Sequence, residues 1–98
     1  MATFVSTVKF TEQGVRGVQD TTKRAAAVRS LAKKFGIKVR DIYWTLGEND
    51  GLLIMDAPDE ESATALMLHI GSQGNVKTNT VRAYNAAEMD KILAKTNV

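Results

Sequence analysis

The sequence predicts a single α+β domain, with one antiparallel sheet and two long helices on one of its faces. Segments that alternate apolar and polar residues, as strands do, are separated by two segments whose apolar residues recur at helical spacing. Their order along the chain is β-α-β-β-α-β, followed by a short third helix. At 98 residues the chain holds one hydrophobic core, so we expect residues 1–98 to form one domain.

The first half of the chain predicts a strand, a loop and a helix. Residues 3–10 alternate as a strand does, and residues 11–20, which hold two glycines, predict a loop with at most one helical turn. Thr21 or Thr22 can cap the helix that follows and continues to about residue 35. Gly36 ends it, because glycine tolerates the left-handed conformation after a helix.

The middle of the chain predicts a β-hairpin. Residues 37–46 alternate, with Trp44 and Leu46 on the side that anchors the sheet to its helices. Residues 47–51 predict the hairpin loop, since Asn, Asp and Gly suit positive backbone φ. Residues 52–55 are continuously apolar, which is typical of a central strand covered on both faces.

The second half repeats the strand and helix pattern. Pro58 and the three acidic residues after it predict the start of the second long helix, because the positive end of the helix dipole favours acidic residues. Residues 76–84 predict the fourth strand. Asn85, with Glu88 three positions later, predicts a capping box for the C-terminal helix. Two β-α-β halves joined by a hairpin make a ferredoxin-like βαββαβ antiparallel sheet.

One face of this sheet has no predicted cover, and we call it the open face. Since residues 52–55 predict burial on both faces, we expect a second subunit to lie against it, sheet to sheet, with the C-terminal helix covering part of it. If the more apolar set of each strand faces the helices, the open face is polar and aromatic. It then holds Val5, Thr7, Lys9, Val39, Tyr43, Thr45, Thr78, Thr80, Arg82 and Tyr84. A register error of one residue would exchange this set for the other.

Two groups of residues could carry chemistry. Glu48 and Asp50, two residues apart in the hairpin loop, could form an acid/base pair or hold a hard cation, or they could be a solvated turn. A second group could bind a small anionic or phenolic ligand on the open face, or form a polar network between subunits. Its members are Thr7, Lys9, Tyr43, Arg82 and Tyr84. We interpret Trp44 as a core residue beneath the helices.

Composition narrows the chemistry further. With no cysteine, the chain forms neither a disulfide nor a thiolate metal site. Its one histidine, His69, cannot build the usual transition-metal site without carboxylates, so we expect no metal, and no cofactor fingerprint occurs. No apolar run approaches the ~20 residues of a membrane helix, and no secretion signal precedes the first strand. We therefore expect a cytoplasmic protein.

Charge is unevenly distributed, although the formal net charge is only +2. Residues 21–40 hold seven Lys and Arg and no acid, whereas residues 41–76 hold seven acids and no Lys or Arg. Such a basic block can attract phosphates. Because its bases are spread along an amphipathic helix, two solvated faces of opposite sign are the simpler interpretation, and we do not expect a nucleic-acid partner.

Short motifs along nearly the whole chain match one family. They are Phe4 to Gly14, with Lys9-Phe10-Thr11-Glu12-Gln13-Gly14; Asp20-Thr21 with Lys23-Arg24-Ala25; Tyr43-Trp44-Thr45-Leu46-Gly47-Glu48 with Asp50-Gly51; Ala57-Pro58-Asp59; and Gly74-Asn75-Val76 with Thr78. In these segments the chain resembles the GYD domain family of small bacterial and archaeal proteins. The family is named for a Gly-Tyr-Asp element, in which the position before the Asp is often aromatic. In this chain the residue before Asp50 is Asn49.

The resemblance implies a fold of the dimeric α/β-barrel type. In such proteins two sheets face one another, and pockets lie between sheet and helices or inside the barrel. Relatives by fold include cofactor-free monooxygenases and small-molecule-binding proteins, and fold alone does not transfer their activities.

Three functions stay open at this stage. The leading hypothesis is a homo-oligomer that binds a small anionic or aromatic ligand in a regulatory or accessory role. The alternative is a cofactor-free oxygenase, isomerase or decarboxylase, with Tyr43 or Glu48 as general base and Arg82 as anion clamp. The third is nucleic-acid binding through residues 21–40.

Overall fold

The structure, a computed structural model, describes residues 1–97 and confirms the predicted α+β fold. Four strands in this part of the chain form one antiparallel sheet in the order β2-β3-β1-β4. The strands are β1 (Ala2–Phe10), β2 (Lys38–Trp44), β3 (Gly51–Ala57) and β4 (Val76–Ala83). The two central strands, β1 and β3, come one from each half of the chain, which is the interleaving of a ferredoxin-like sheet.

Two long helices lie against one face of the sheet, and shorter ones flank them. The long helices are α2 (Thr21–Lys34) and α3 (Glu60–Ser72). The predicted loop between β1 and α2 contains α1 (Glu12–Arg16) and a 3-10 turn (Val18–Asp20), and the chain continues after β4 into α4 (Ala86–Ala94). Among the described residues, no helix combines the length and the apolar composition needed to cross a membrane.

Local side-chain chemistry sets the starts of α3 and α4. The Asp59 carboxylate accepts a hydrogen bond from the amide of Ser62 at 2.7 Å, which caps α3. The predicted capping box is confirmed: the Glu88 amide donates to Asn85 Oδ1 at 2.8 Å, and the Asn85 amide donates to Glu88 Oε1 at 3.0 Å. Both helices therefore satisfy amides that a bare helix end would leave unpaired.

The predicted cap of α2 is wrong. Asp20 occupies the N-cap position and makes no side-chain capping bond, while Thr21 is already the first helical residue. The hydroxyl of Thr21 is used elsewhere, because it accepts a hydrogen bond from Trp44 Nε1 at 2.9 Å. The end of α2 is as predicted, with Gly36 at a φ of 70°.

The hydrophobic core lies between the sheet and the two long helices. Met55 of β3 and Leu66 of α3 are fully buried at its centre. Around them are Phe4, Ala32, Ile37, Val39, Leu53, Ala57 and Ala63. Among residues 1–97, no buried side-chain nitrogen or oxygen lacks a hydrogen-bond partner.

Strand register corrects the predicted open face. In β4 the helix-facing set is the even-numbered one, since Thr80 pairs with Ser6 and their hydroxyls are 2.8 Å apart. Thr78 and Arg82 share that side, so all three predictions on β4 were wrong. A bulge at Arg40 adds a residue to β2 and turns Val39 towards the core, which corrects that prediction too. Two further predicted residues lie past the strand ends, namely Thr45 after β2 and Tyr84 after β4.

The molecule is elongated. Its principal extents are 53 × 31 × 19 Å, and its radius of gyration is 14.9 Å, where a compact domain of this length has about 13 Å. None of the residues of α4 is buried. The last helix therefore adds length to the molecule and little to its core.

Candidate functional site

The open face has an apolar centre. Val5 of β1 lies directly opposite Ile54 of β3 and Val81 of β4, and Leu52 lies opposite Tyr43. The side chains of Val81 and Tyr43 are each 53% exposed. An uncovered apolar cluster in the middle of a sheet face is typical of a surface that a partner covers.

Charged residues lie at the two ends of the open face. At one end Lys9 is directly opposite Lys77, an arrangement that disfavours the strand pair because the two charges repel. Glu48 offsets this only weakly, since its Oε1 is 3.4 Å from Lys9 Nζ and its side chain is 84% exposed. At the other end lies Asp56, which Arg40 and Thr3 hold at 3.2 and 2.9 Å.

The two carboxylates of the hairpin loop do not form a pair. Asp50 Oδ2 accepts a hydrogen bond from the Phe10 amide at 2.8 Å, and the Asp50 amide donates to the Val8 carbonyl at 2.8 Å. Asp50 therefore fastens the hairpin loop to β1, while Glu48 stays in solvent beside Lys9. Within residues 1–97, no cluster of His, Asp and Glu side chains has the number and spacing to hold a metal ion.

Trp44 does not have the core position predicted for it, and Leu46 does not anchor the sheet to its helices as predicted. β2 ends at Trp44, whose side chain lies on the helix side of the sheet, is 46% exposed and donates to Thr21 of α2. Leu46 lies in the hairpin loop beyond the strand and is fully exposed. Trp44 thus ties β2 to α2 at the surface and does not fill the core.

Arg82 fastens α4 to the sheet. Its guanidinium donates to Glu88 Oε2 at 2.9 Å, to the Thr3 carbonyl at 3.2 Å and to the Ala83 carbonyl. The guanidinium also lies over the ring of Tyr84, 4.6 Å from its centroid. Hydrogen bonds from the Asn85 amide and then from Arg82 lower the pKa of Glu88. Three hydrogen bonds of Arg82 are thus made within the chain.

The seven predicted ligand residues do not form one site. Thr7, Lys9 and Tyr43 lie on the open face, whereas Arg82 faces the helices from β4, the opposite edge strand to β2. Three strand spacings separate these edges, about 14 Å. Tyr84 lies beside Arg82, and Glu48 and Asp50 lie in the hairpin loop.

The basic segment 21–40 is partly engaged in internal contacts. Arg24 donates to the Gly14 carbonyl at 3.1 Å, and Arg29 donates to the Val39 carbonyl at 3.0 Å. Arg40 pairs with Asp56 across the β2–β3 ladder. These arginines have structural partners, so the segment does not present all its charges as one phosphate-binding surface.

The sequence did not predict one concavity of the molecule, a cleft between α2 and α3. The two helices diverge above the sheet and leave a cavity of about 460 Å³ that opens to solvent. Its floor is the helix-facing side of the sheet, including Val8, Phe10 and Ile42. The sequence does hold one relevant pattern, the run Ala25-Ala26-Ala27 in α2, since Ala25 and Ala27 line the cleft with small side chains.

These features define a ferredoxin-like α+β protein with an uncovered sheet face and a separate cleft in its helical layer. The chain belongs to the GYD domain family, whose model matches residues 4–93. The family predicted from sequence motifs is therefore confirmed.

Two known proteins show how far the similarity extends. The chain is 31% identical over 90 residues to the "Glutamine synthetase and cystathionine beta-lyase binding protein" of Thermus thermophilus, covering 91% of this chain and 95% of that protein. Its fold is similar to the crystal structure of MtbAldR, with a TM-score of 0.68 and 14% identity. That match covers 86% of this chain and 52% of MtbAldR, so it concerns the fold of one part of a longer chain.

Proposed function

We propose that this chain is a small cytoplasmic regulatory protein that acts by binding an enzyme. The similarity to the Thermus thermophilus protein carries this proposal, because that relative is named for binding glutamine synthetase and cystathionine beta-lyase. The aligned region spans 95% of the relative, so the two chains share a whole domain and not a short motif. The first partners to test are the same two enzymes from the organism that encodes this chain.

The open face supports a dimer as the binding unit. A second copy, sheet against sheet, would cover Val5, Ile54 and Val81, and a two-fold axis places the same patch on both subunits. Burial of each exposed apolar side chain favours association by about 1.5–3 kcal/mol when it is complete. The enzyme would then contact the outer surface of this dimer.

The regulatory role includes a small anionic or aromatic ligand. A binding protein that responds to a metabolite needs a cavity separate from its protein interface, and the α2–α3 cleft supplies one. A catalytic role has less support, because Tyr43, Glu48 and Arg82 lie in three different surroundings.

Binding of the immobilised chain to each purified enzyme, followed by biolayer interferometry, tests the proposal. We expect saturable binding to at least one of the two enzymes. Because the sequence pI is about 9.0, non-specific attraction to acidic proteins must be separated from specific binding. A specific complex should persist at 0.3 M salt, where the Debye length falls to about 6 Å. Failure of both enzymes to bind at low and high salt would refute the proposal.

A further inference from the structure

We propose that the α2–α3 cleft binds a small aromatic acid, with the aromatic body between the two helices and the acid group at Arg24. This inference deepens the proposed function and rests on the regulatory ligand it includes. It places the ligand in the helical layer, away from the open face that a second copy covers.

The size of the cleft suits a small ligand. It measures about 460 Å³ and opens to solvent. That volume falls within the ~300–1,000 Å³ of small-molecule sites. The cleft therefore has the dimensions of a ligand site.

The apolar side chains around the cleft are only partly buried. Val28 and Leu31 of α2 and Met67 and Ile70 of α3 pack against the core cluster, yet each remains only partly buried. In a ferredoxin-like layer such residues would normally contact one another across the two helices. Ala25 and Ala27 of α2 also line the cleft and fill little of it, since their side chains are single methyl groups. An apolar ligand body would complete this burial.

The cleft favours an aromatic body. Phe10, Trp44 and Met67 all line it. Aromatic rings pack well against other rings at their edges or offset faces, and thioethers contact ring edges favourably. A flat ring system fits such a lining better than a flexible polar chain would.

Arg24 and Thr21 supply the polar end. They are three residues apart on α2, so they share one helix face, and both line the cleft. One nitrogen of Arg24 donates to the Gly14 carbonyl, and a guanidinium has five N–H donors, so donors remain for a carboxylate. The Thr21 hydroxyl accepts from Trp44 and has its own hydrogen to donate.

The other ionisable residues that line the cleft are compatible with an anion. Asp50 is the one acidic residue among them, and its carboxylate accepts a hydrogen bond from the Phe10 amide. His69 also lines the cleft, from α3. Arg24 is thus the cationic group that the cleft offers to an acid, while Asp50 is already engaged by the Phe10 amide.

Two dyes test the proposal directly. We would titrate the full chain with 1-anilinonaphthalene-8-sulfonate, an aromatic anion, and with N-phenyl-1-naphthylamine, which has the same ring system without the charge. Trp44 is the only tryptophan, so energy transfer from its fluorescence to the dye reports binding to the chain. We expect saturable energy transfer with one site per chain. The temperature midpoint of unfolding should also rise, because the dye binds the folded state; binding to a partly unfolded state would not raise it.

Three variants locate the site. Ala25→Leu should fill the cleft and weaken both dyes about tenfold or more, whereas Ala26→Leu, on the exposed side of the same helix, should leave both affinities unchanged. Arg24→Met should weaken the anionic dye about tenfold and leave the neutral dye unchanged. Near-ultraviolet circular dichroism would confirm that each variant keeps the native packing.

Several outcomes would overturn the proposal. The cleft is not the site if saturable energy transfer is absent, or if Ala25→Leu and Ala26→Leu bind the dyes equally. The acid group is not at Arg24 if Arg24→Met weakens neither dye or both alike. If the chain binds an enzyme but neither dye, the cleft is not a ligand site, and the proposed enzyme partner stands. Dye binding without any enzyme complex would instead reject the proposed enzyme partner.

Discussion

At the scale of single residues, Asp50 and Glu48 show how neighbours in one loop take opposite roles. Asp50 makes two 2.8 Å hydrogen bonds to β1, one to the Phe10 amide and one to the Val8 carbonyl. Glu48 makes one long ion pair in solvent. Asp50 is therefore a structural residue, and a change there should affect stability first.

Replacing Asp50 with alanine should destabilise the fold. The change leaves the part-buried amide of Phe10 without its acceptor, which costs about 1–3 kcal/mol. Asp50→Asn keeps an acceptor oxygen and should cost less. Glu48→Ala is the matched control and should change the free energy of unfolding by less than about 0.5 kcal/mol. Urea denaturation measures all three, and equal effects of Asp50→Ala and Glu48→Ala would contradict the assignment.

Asp59 and Glu88 should make stability fall in acid. Backbone hydrogen bonds from Ser62 and Asn85, respectively, lower the pKa of each carboxyl below its usual value of 3.8 or 4.5. A carboxyl whose pKa is lower in the folded state stabilises the fold above its unfolded pKa. This contribution is lost as pH falls from that value through the folded pKa.

A pair of variants isolates the contribution of Asp59. Asp59→Asn keeps a capping acceptor but cannot titrate, so its thermal midpoint should fall less steeply than that of the wild type below pH 4. Asp59→Ala loses the cap as well and should have a lower midpoint at pH 7. Thermal unfolding at a series of pH values gives both results. Parallel curves for wild type and Asp59→Asn would contradict the titration argument.

Residue-scale features were predictable where they are local. The Asn85 and Glu88 capping box and the turn at Gly36 depend on side chains within three or four positions, and both were predicted. The position of Trp44 was not predictable. Its indole donates a hydrogen bond to Thr21, 23 positions away, at the surface and not in the core. Such a contact depends on how α2 lies on the sheet, which no local pattern contains.

At the scale of elements, a close backbone approach fixes α1 against the turn before β4. The Thr11 amide donates to the Asn75 carbonyl at 3.1 Å, which brings that carbonyl directly over Gly14. The buried Gly14 has no Cβ, and any Cβ there would overlap the Asn75 oxygen. This contact explains why the ambiguous segment 11–20 contains an ordered short helix.

Gly14→Ala should destabilise the protein because a methyl group has no space there. We expect a cost of about 1–3 kcal/mol, typical of overpacking, measured by urea denaturation. Gly71→Ala is the control, since a Cβ at Gly71 in α3 meets no atom within 4 Å among the described residues. Alanine favours a helix over glycine, so this variant should be neutral or more stable by up to about 1 kcal/mol. Similar losses in both variants would contradict the account.

Element order was predictable, but strand register was not. Hydrophobic periodicity predicted the order of strands and helices, and the continuous apolar run 52–55 predicted a central strand. In β4 both faces carry threonine, lysine, asparagine or arginine, so no apolar set marked the inner side. The inward set is selected by non-local contacts, the Ser6–Thr80 pair and the contacts of Arg82. The bulge at Arg40 likewise has no local sequence pattern that distinguishes it.

At the scale of the whole molecule, the open face and the cleft lie on different layers. The open face is the outer side of the sheet, and the cleft lies between helices on the other side. The cleft was not predicted because its walls come from segments about 40 residues apart, and their separation depends on packing. One protein can therefore hold a partner on one layer and a ligand in the other.

Val81→Glu should disrupt the dimer. Wild-type chain should have twice the 10.7 kDa mass of one chain in light scattering. A carboxylate in the apolar centre of the interface would be buried without a partner and should weaken the dimer about a hundredfold or more. Val15→Glu on α1 is the matched control, because Val15 is 55% exposed and Val81 is 53% exposed. A wild-type monomer, or two variants of equal mass, would contradict the assigned interface.

The most direct test of the regulatory role is native mass spectrometry of the chain mixed with glutamine synthetase or with cystathionine beta-lyase. We expect a new species in at least one mixture, in which the enzyme assembly carries a whole number of dimers of this chain. Its abundance should fall in the Val81→Glu variant and not in Val15→Glu. Spectra that contain only the separate enzyme and the separate chain, in both mixtures and at every concentration tested, would contradict it.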